Sequence, residues 1–193
     1  MPRISAQEFE QVALRVHSFL AGVPLHDVWV IDLPRYRSGI TLDEFLREVN
    51  DRPKHLSPAT RVLLAIRLLA GRLLGWEREP KTEWQPFVGR LTEDDRSRSL
   101  APPGTVEGHF RIVYCFQNEQ LLEIVNRTVH AAALSALEDT GDSYRFYFAV
   151  YVVNIGRFTP IYMALIDPFR KLIVYPSLLR SVRVTWTQAF APK

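Results

Sequence analysis

"FTPIYMALIDPFRKLIVYPSLLRS", residues 158–181, decides how the rest of the chain is read. It is apolar, it turns basic, and it carries prolines at 160, 168 and 176. A membrane-spanning helix needs about 20 apolar residues in a row. Asp167, Arg170 and Lys171 interrupt this stretch at its centre, which argues against a span. Each proline has a local reading. Thr159 before Pro160, and Asp167 before Pro168, suit a cap followed by the first helical position, where a missing N–H costs little. Pro176 bends the chain again. Phe158, Tyr162, Leu165, Phe169 and Leu172 recur at helical spacing. The spacing therefore predicts a bent helix curved around a neighbour. A helix closing a sheet is the simplest form of this. A helix on a membrane face or in a homodimer interface is the other.

The neighbour stands just before it in sequence. From residue 109 the chain reads as strand after strand: "HFRIVYCFQN", "QLLEIVNR", "TVHAAALSALE" and "YRFYFAVYVVN". "DTGDS" between the last two is a hairpin turn, with Gly141 free to take positive φ. "YRFYFAVYVV" is apolar on both faces, so the sheet needs cover on both sides. The C-terminal helix supplies one cover. The helix at 57–76, the segment 77–106 or a second subunit would supply the other.

Further out, "HDVWVIDLP" (26–34) is β-branched and aromatic and reads as a strand ended by Pro34. Residues 5–21 read as one helix, with Ser5 and Glu8 in a capping box. Thr41 and Glu44 mark a short helix in the same way. "SPATRVLLAIRLLAGRLLGW" (57–76) reads as a helix with Ser57 as cap and Pro58 at its first position. It suits burial behind a narrow polar stripe, or a basic amphipathic helix on a membrane surface. Residues 77–106 are charged and hold prolines 80, 86, 102 and 103. They read as an irregular connection, a lid or a mobile loop, with "FVGRL" as a short strand inside it.

Composition bounds the class. The 193 residues are 47% hydrophobic and 23% charged, ordinary globular usage for a single domain spanning 1–193. Net charge is +3 and evenly spread, which gives no nucleic-acid footprint. Cys115, in the apolar run "RIVYCFQ", reads as a buried inert thiol. Charges at residues 8 and 10 stand where a signal peptide needs its apolar core, so a cytoplasmic protein is expected.

The order is strand, two helices, antiparallel strands and a long C-terminal helix. It is the order of an α+β, START-like helix-grip fold, in which a curved antiparallel sheet wraps a terminal helix around a cavity. "DVWVIDLP", "NRTVHAAALSAL" and "NIGRFTPIYMALIDPFRKLIV" resemble the bacterial DUF-2867 family. The matching positions are His130, Gly156, Arg157, Tyr162, Pro168, Phe169, Ile173 and Val174, with Asn154 two residues before Gly156. A His often follows the Pro-Phe pair in that family, and here Arg170 and Lys171 follow. The resemblance covers roughly residues 24–183. It implies a START-like fold and no established activity; members also occur fused to short-chain dehydrogenase-like domains.

Such a fold is expected to hold a small hydrophobic or amphipathic molecule between sheet and helix. Trp29, Tyr114, His130, Tyr151 and Tyr162 are the expected wall residues, with Arg157 at the mouth to meet an anionic head group. Arg157 has competing partners in Glu123 and Asp167. His130 shares its strand face with Thr128, Ala132 and Leu134, where small neighbours leave room. As a hydrogen-bonded core histidine it would be structural; as a general acid or base it would make the chain an enzyme. No paired carboxylates or nucleophile arrangement accompany it. "DTG" in a lone hairpin turn does not make an aspartic protease. His26 beside Asp27 suggests a relay that lacks a nucleophile. The histidines are scattered without metal-ligand spacing, so no metal and no cofactor are expected. Arg61, Arg72, Arg170, Lys171, Arg180 and Arg183 would face anionic lipid if the chain docked on a membrane surface.

Overall fold

The computed structural model describes residues 4–51, 84–126, 129–154 and 158–192. The expected helix at 57–76 lies outside them. β-branched and aromatic runs form β1 (Leu25–Pro34), β2 (Val106–Glu107), β3 (Phe110–Cys115), β4 (Glu119–Val125), β5 (His130–Asp139) and β6 (Ser143–Val153). They make one six-stranded antiparallel sheet in the order β1-β6-β5-β4-β3-β2. The four strands read after residue 109 are all present. β5 turns into β6 at Gly141, whose φ of 91° needs a residue without Cβ. The Gly141 N–H donates to the Asp139 carboxylate at 2.9 Å, which fixes the turn.

Both faces of the sheet are covered. One carries Val28, Val30, Leu134, Tyr147 and Tyr151 against Phe9, Val16, Phe19, Phe87 and Leu91. Its cover is the N-terminal segment together with residues 84–98. The other carries Trp29, Ile31, Leu33, Phe146 and Val150 against Leu42, Phe45, Tyr175, Leu179 and Trp186. Its cover is α3 (Leu42–Asp51) and the C-terminal helix. The class is α+β, with a curved antiparallel sheet and a long C-terminal helix.

The N-terminal segment departs from the expected single helix. It forms α1 (Ala6–Glu10) and α2 (Arg15–Phe19). Ser5 and Glu8 do form the capping box of α1. The break has a tertiary cause. Leu14 has no side-chain acceptor to cap α2, and the Glu119 carboxylate from β4 receives the N–H of Arg15 at 2.7 Å and of Val16 at 2.8 Å. A new helix starts where that acceptor stands.

Residues 84–106 are more ordered than a loop. "FVGR" is a turn of 3₁₀ helix (Phe87–Arg90), not a strand, because Pro86 before it and the Phe87 N–H bond to Glu123 set it across the sheet. α4 (Glu93–Arg98) follows, with Thr92 and Asp95 in a capping box. Phe87, Leu91 and Asp95 are buried, so this part of the segment is a packed cover.

The C-terminal helix runs as α5 (Phe158–Phe169), a wider π turn (Arg170–Val174) and α6 (Tyr175–Phe190). Asp167–Pro168 does not start a new helix. Pro168 lies inside α5, and it and Ala164 are exposed, so water can serve the carbonyl that Pro168 leaves free. The π turn stands just before Pro176. There the Tyr175 N–H reaches back five residues to the Arg170 carbonyl. The proline ring cannot donate to the carbonyl four residues before it, and widening the turn relieves the crowding.

The stripe that marked this helix in the sequence points the other way. Leu165, Phe169 and Leu172 are 62%, 48% and 77% exposed. The inward row is Met163, Tyr175, Leu179, Val182 and Trp186.

A cavity under the C-terminal helix and its polar corner

Between the sheet and α5 lies a cavity of about 210 Å³. Its floor is Ala131 and Ala133 of β5, flanked by Ile124, Phe148 and Val152; Met163 and Ile166 of α5 form its roof. The alanines make the space. A leucine at either position would occupy part of it. They alternate with His130, Ala132 and Leu134, which point to the opposite face. The room that small residues leave is therefore on the side of β5 away from His130.

Arg170 and Tyr175 reach the cavity from the π turn and the start of α6. Around them is a dense polar corner. Trp29 of β1 donates its indole N–H to Asp27 Oδ1 at 2.6 Å and packs its ring 5.6 Å from that of Tyr175. Asp27 is 3% exposed, and its Oδ2 lies 3.5 Å from the Arg170 guanidinium. Arg170 also donates to Asp167 Oδ1 at 3.1 Å and to the Tyr175 hydroxyl. Lys171 Nζ donates to Asp167 Oδ2 at 2.7 Å, and His26 Nε2 lies 2.9 Å from Asp167 Oδ1. Burial pushes Asp167 up, yet the hydrogen bonds from Lys171 and His26 hold it below the ordinary carboxylate value. Burial raises the Tyr175 hydroxyl far above a free phenol, so it stays protonated.

His26, Asp27 and Asp167 bring ligand-type atoms within 4.8 Å of one another. Arg170 and Lys171 already neutralise them, so the group is an internal ion network. A β-bulge builds it. β1 pairs Leu25 with Tyr151 but Asp27 with Val150, so His26 is the extra residue. The bulge bends β1 locally at this point.

The sequence-expected residues divide. Trp29 belongs to the polar corner. Tyr114, Tyr151 and His130 are buried on the opposite face. Tyr114 donates its hydroxyl to Glu119 and stacks on Phe116, with ring centroids 4.5 Å apart. His130 Nε2 lies 2.8 Å from Glu123 Oε1, with the Phe87 ring 4.4 Å and the Trp84 ring 5.6 Å away. Glu123 Oε1 also accepts the Phe87 N–H at 2.8 Å, while its buried Oε2 has no hydrogen-bond partner among the described residues. Arg157 lies outside the described residues; Tyr162 is in α5, with its side chain outside them. Sequence reasoning misses Tyr175, and it reads Asp27 as a relay partner of His26 and Arg170 as facing lipid, not as parts of this corner. Asp167 with Arg170 and Lys171, at i, i+3 and i+4, was a visible pairing signal. Its junction with His26 and Asp27 needed the sheet order.

No helix among the described residues is long and apolar enough to cross a membrane. No curated protein and no solved structure matches the chain. One family model does, described as a protein of unknown function, DUF2867, and it spans residues 19–177, which include the sheet, the polar corner and the π turn. The chain belongs to the DUF2867 family.

Proposed function

We propose that this chain binds a small hydrophobic or amphipathic molecule between the sheet and the C-terminal helix, on a START-like, helix-grip scaffold. The cavity over Ala131 and Ala133 is the observation that carries the reading. The placement of β1 beside β6, with the helix laid across that face, supports the helix-grip comparison. Size narrows the ligand. Drug-sized ligands occupy roughly 300–1,000 Å³, whereas a dry cavity of about 150 Å³ takes benzene. A volume near 210 Å³ suits one ring or a short acyl chain. The corner then sets the polar end. The Tyr175 hydroxyl and the Arg170 guanidinium are the donors within reach, and Arg170 is already shared by Asp27 and Asp167. A neutral hydroxyl or carbonyl fits this corner better than a strong anion.

Native mass spectrometry of the protein purified from cells tests it. The expected result is a discrete extra mass that vanishes on denaturation and is absent from Ala133→Phe. A bare native mass, together with no binding of small apolar probes, sinks the reading.

A second reading, that His130 is a general acid or base, has one observation in its favour. Glu123 holds His130 and lines a cleft of about 120 Å³ together with Trp84, His109 and Arg111. Under this reading His130→Gln would abolish a turnover that Ala133→Phe leaves intact. Equal loss in both variants would remove it.

A further inference from the structure

We propose that the outer row of the C-terminal helix docks on an anionic lipid bilayer, placing the roof of the cavity at the membrane surface. Among the described side chains, the outward positions of α5 and the π turn are Ala164, Leu165, Pro168, Phe169 and Leu172. They contain no polar side chain. A surface helix ordinarily turns polar residues to water, so an apolar outer row marks a contact surface. Beyond the π turn, α6 carries Arg180 and Arg183, both exposed. The apolar half is thus followed by a cationic half.

Charge selects the partner. From Phe158 to Phe190 the only acidic residue is Asp167, and it is held inward by Arg170, Lys171 and His26. The exposed side of the helix therefore presents cations with no carboxylate among them. Anionic head groups complement such a row, and the apolar side chains reach the acyl boundary beneath them. A second copy of the chain fits less well. Three large side chains and a proline supply well under the roughly 800 Å² per partner of a standard interface. They suffice for shallow insertion, where each arginine near an anionic surface adds roughly fivefold to binding.

The same helix serves both sides. Met163, Ile166 and Arg170 face the cavity, while Leu165, Phe169 and Leu172 face out. This deepens the ligand-binding reading, on which its second half rests: an amphipathic ligand would pass between bilayer and cavity past this helix.

The test is co-sedimentation of the full chain with vesicles of phosphatidylcholine alone and of phosphatidylcholine mixed with phosphatidylglycerol. Binding is expected to the mixed vesicles only, and to weaken as salt rises. Arg180→Gln with Arg183→Gln should lower it about twenty-fivefold. Leu165→Ser, Phe169→Ser and Leu172→Ser together should abolish it. These are exposed positions, and an unchanged thermal melt certifies the fold of each variant. Ala133→Phe separates the two proposals, since it blocks the cavity and should leave vesicle binding intact. No binding to mixed vesicles, binding that survives the triple serine variant, or a lipid-independent dimer lost in that variant would each overturn the docking proposal.

Discussion

The two faces of the sheet are covered by different physics. On the N-terminal face the cover is made of short pieces, and carboxylates rising from β4 hold them down. Glu119 receives two backbone N–H groups at the start of α2 and the Tyr114 hydroxyl. Glu123, four residues on and on the same face, receives the Phe87 N–H of the 3₁₀ turn. Asp95 anchors α4 to Arg15 at 2.8 Å. On the helical face the cover is one long element, seated by aromatic packing around Trp186 and left loose over the alanines of β5. Short segments cannot bury enough apolar surface to stay in place alone, so they need directional acceptors. A helix from Phe158 to Phe190 can be fastened at its far end and leave space beneath its near end. That difference leaves the apolar cavity over Ala131 and Ala133 under the near end of the helix.

Substitutions can break this contrast at four levels. The largest effect should come from Trp186→Ala. Trp186 is fully buried, packs on Phe45, Tyr144 and Phe190, and donates to the Pro34 carbonyl at 2.9 Å. Its loss should cost about 4 kcal/mol in urea unfolding. Glu119→Ala strips a buried acceptor from three donors and should cost about 3 kcal/mol. The signature is fast amide exchange at Arg15 and Val16, with the C-terminal helix still protected.

The third level is pH. The Arg15 guanidinium beside Asp95 holds its carboxyl well below the usual range. A depressed carboxylate contributes stability that is complete above its unfolded value, about 3.9, and is lost as pH falls through the folded one. Unfolding free energy should therefore drop between about pH 4 and pH 2. Asp95→Asn should lose about 2 kcal/mol at neutral pH and flatten that acid limb. An unchanged acid limb would show that Asp95 is not the group responsible.

The smallest effect is the most discriminating. Ala136→Leu adds volume to the packed N-terminal face and should cost about 1–3 kcal/mol. Ala133→Leu adds the same volume over the cavity and should cost less than about 1 kcal/mol, or stabilise. Equal costs at the two alanines would mean that both faces are packed alike.

Much of the fold was legible because it rests on local signals. The strand runs of β3 to β6, the glycine at 141 and the capping box at Ser5 carry their own instructions, whereas the box at Thr92 is hidden in a segment that reads as irregular. Thr41 likewise accepts the Glu44 N–H at 3.2 Å. The errors share a cause. Where a helix starts at Arg15 rather than continuing from Ser5, and where "FVGR" coils rather than extends, a distant carboxylate makes the choice. Leu165, Phe169 and Leu172 misled in another way. Helical period reveals that a residue belongs to a stripe, but not whether the stripe faces the core. The site was least legible. Trp29 stands at the polar corner on a strand that reads plainly, whereas Tyr114, Tyr151 and His130 alternate onto the face opposite the cavity.

The adjacency of β1 and β6 also orders events in time. β3 to β6 follow one another through short turns, so each pairs with a strand made shortly before it. β1 must wait for a partner separated from it by the whole chain from Pro34 to Ser143. Closing that loop costs entropy that the local hairpins never meet. Through most of synthesis β1 is an unpaired apolar strand. His26, Asp27 and Trp29 then meet Arg170 and Tyr175 only at the end, so the polar corner forms as the last strand and the last helix lock the first strand in place.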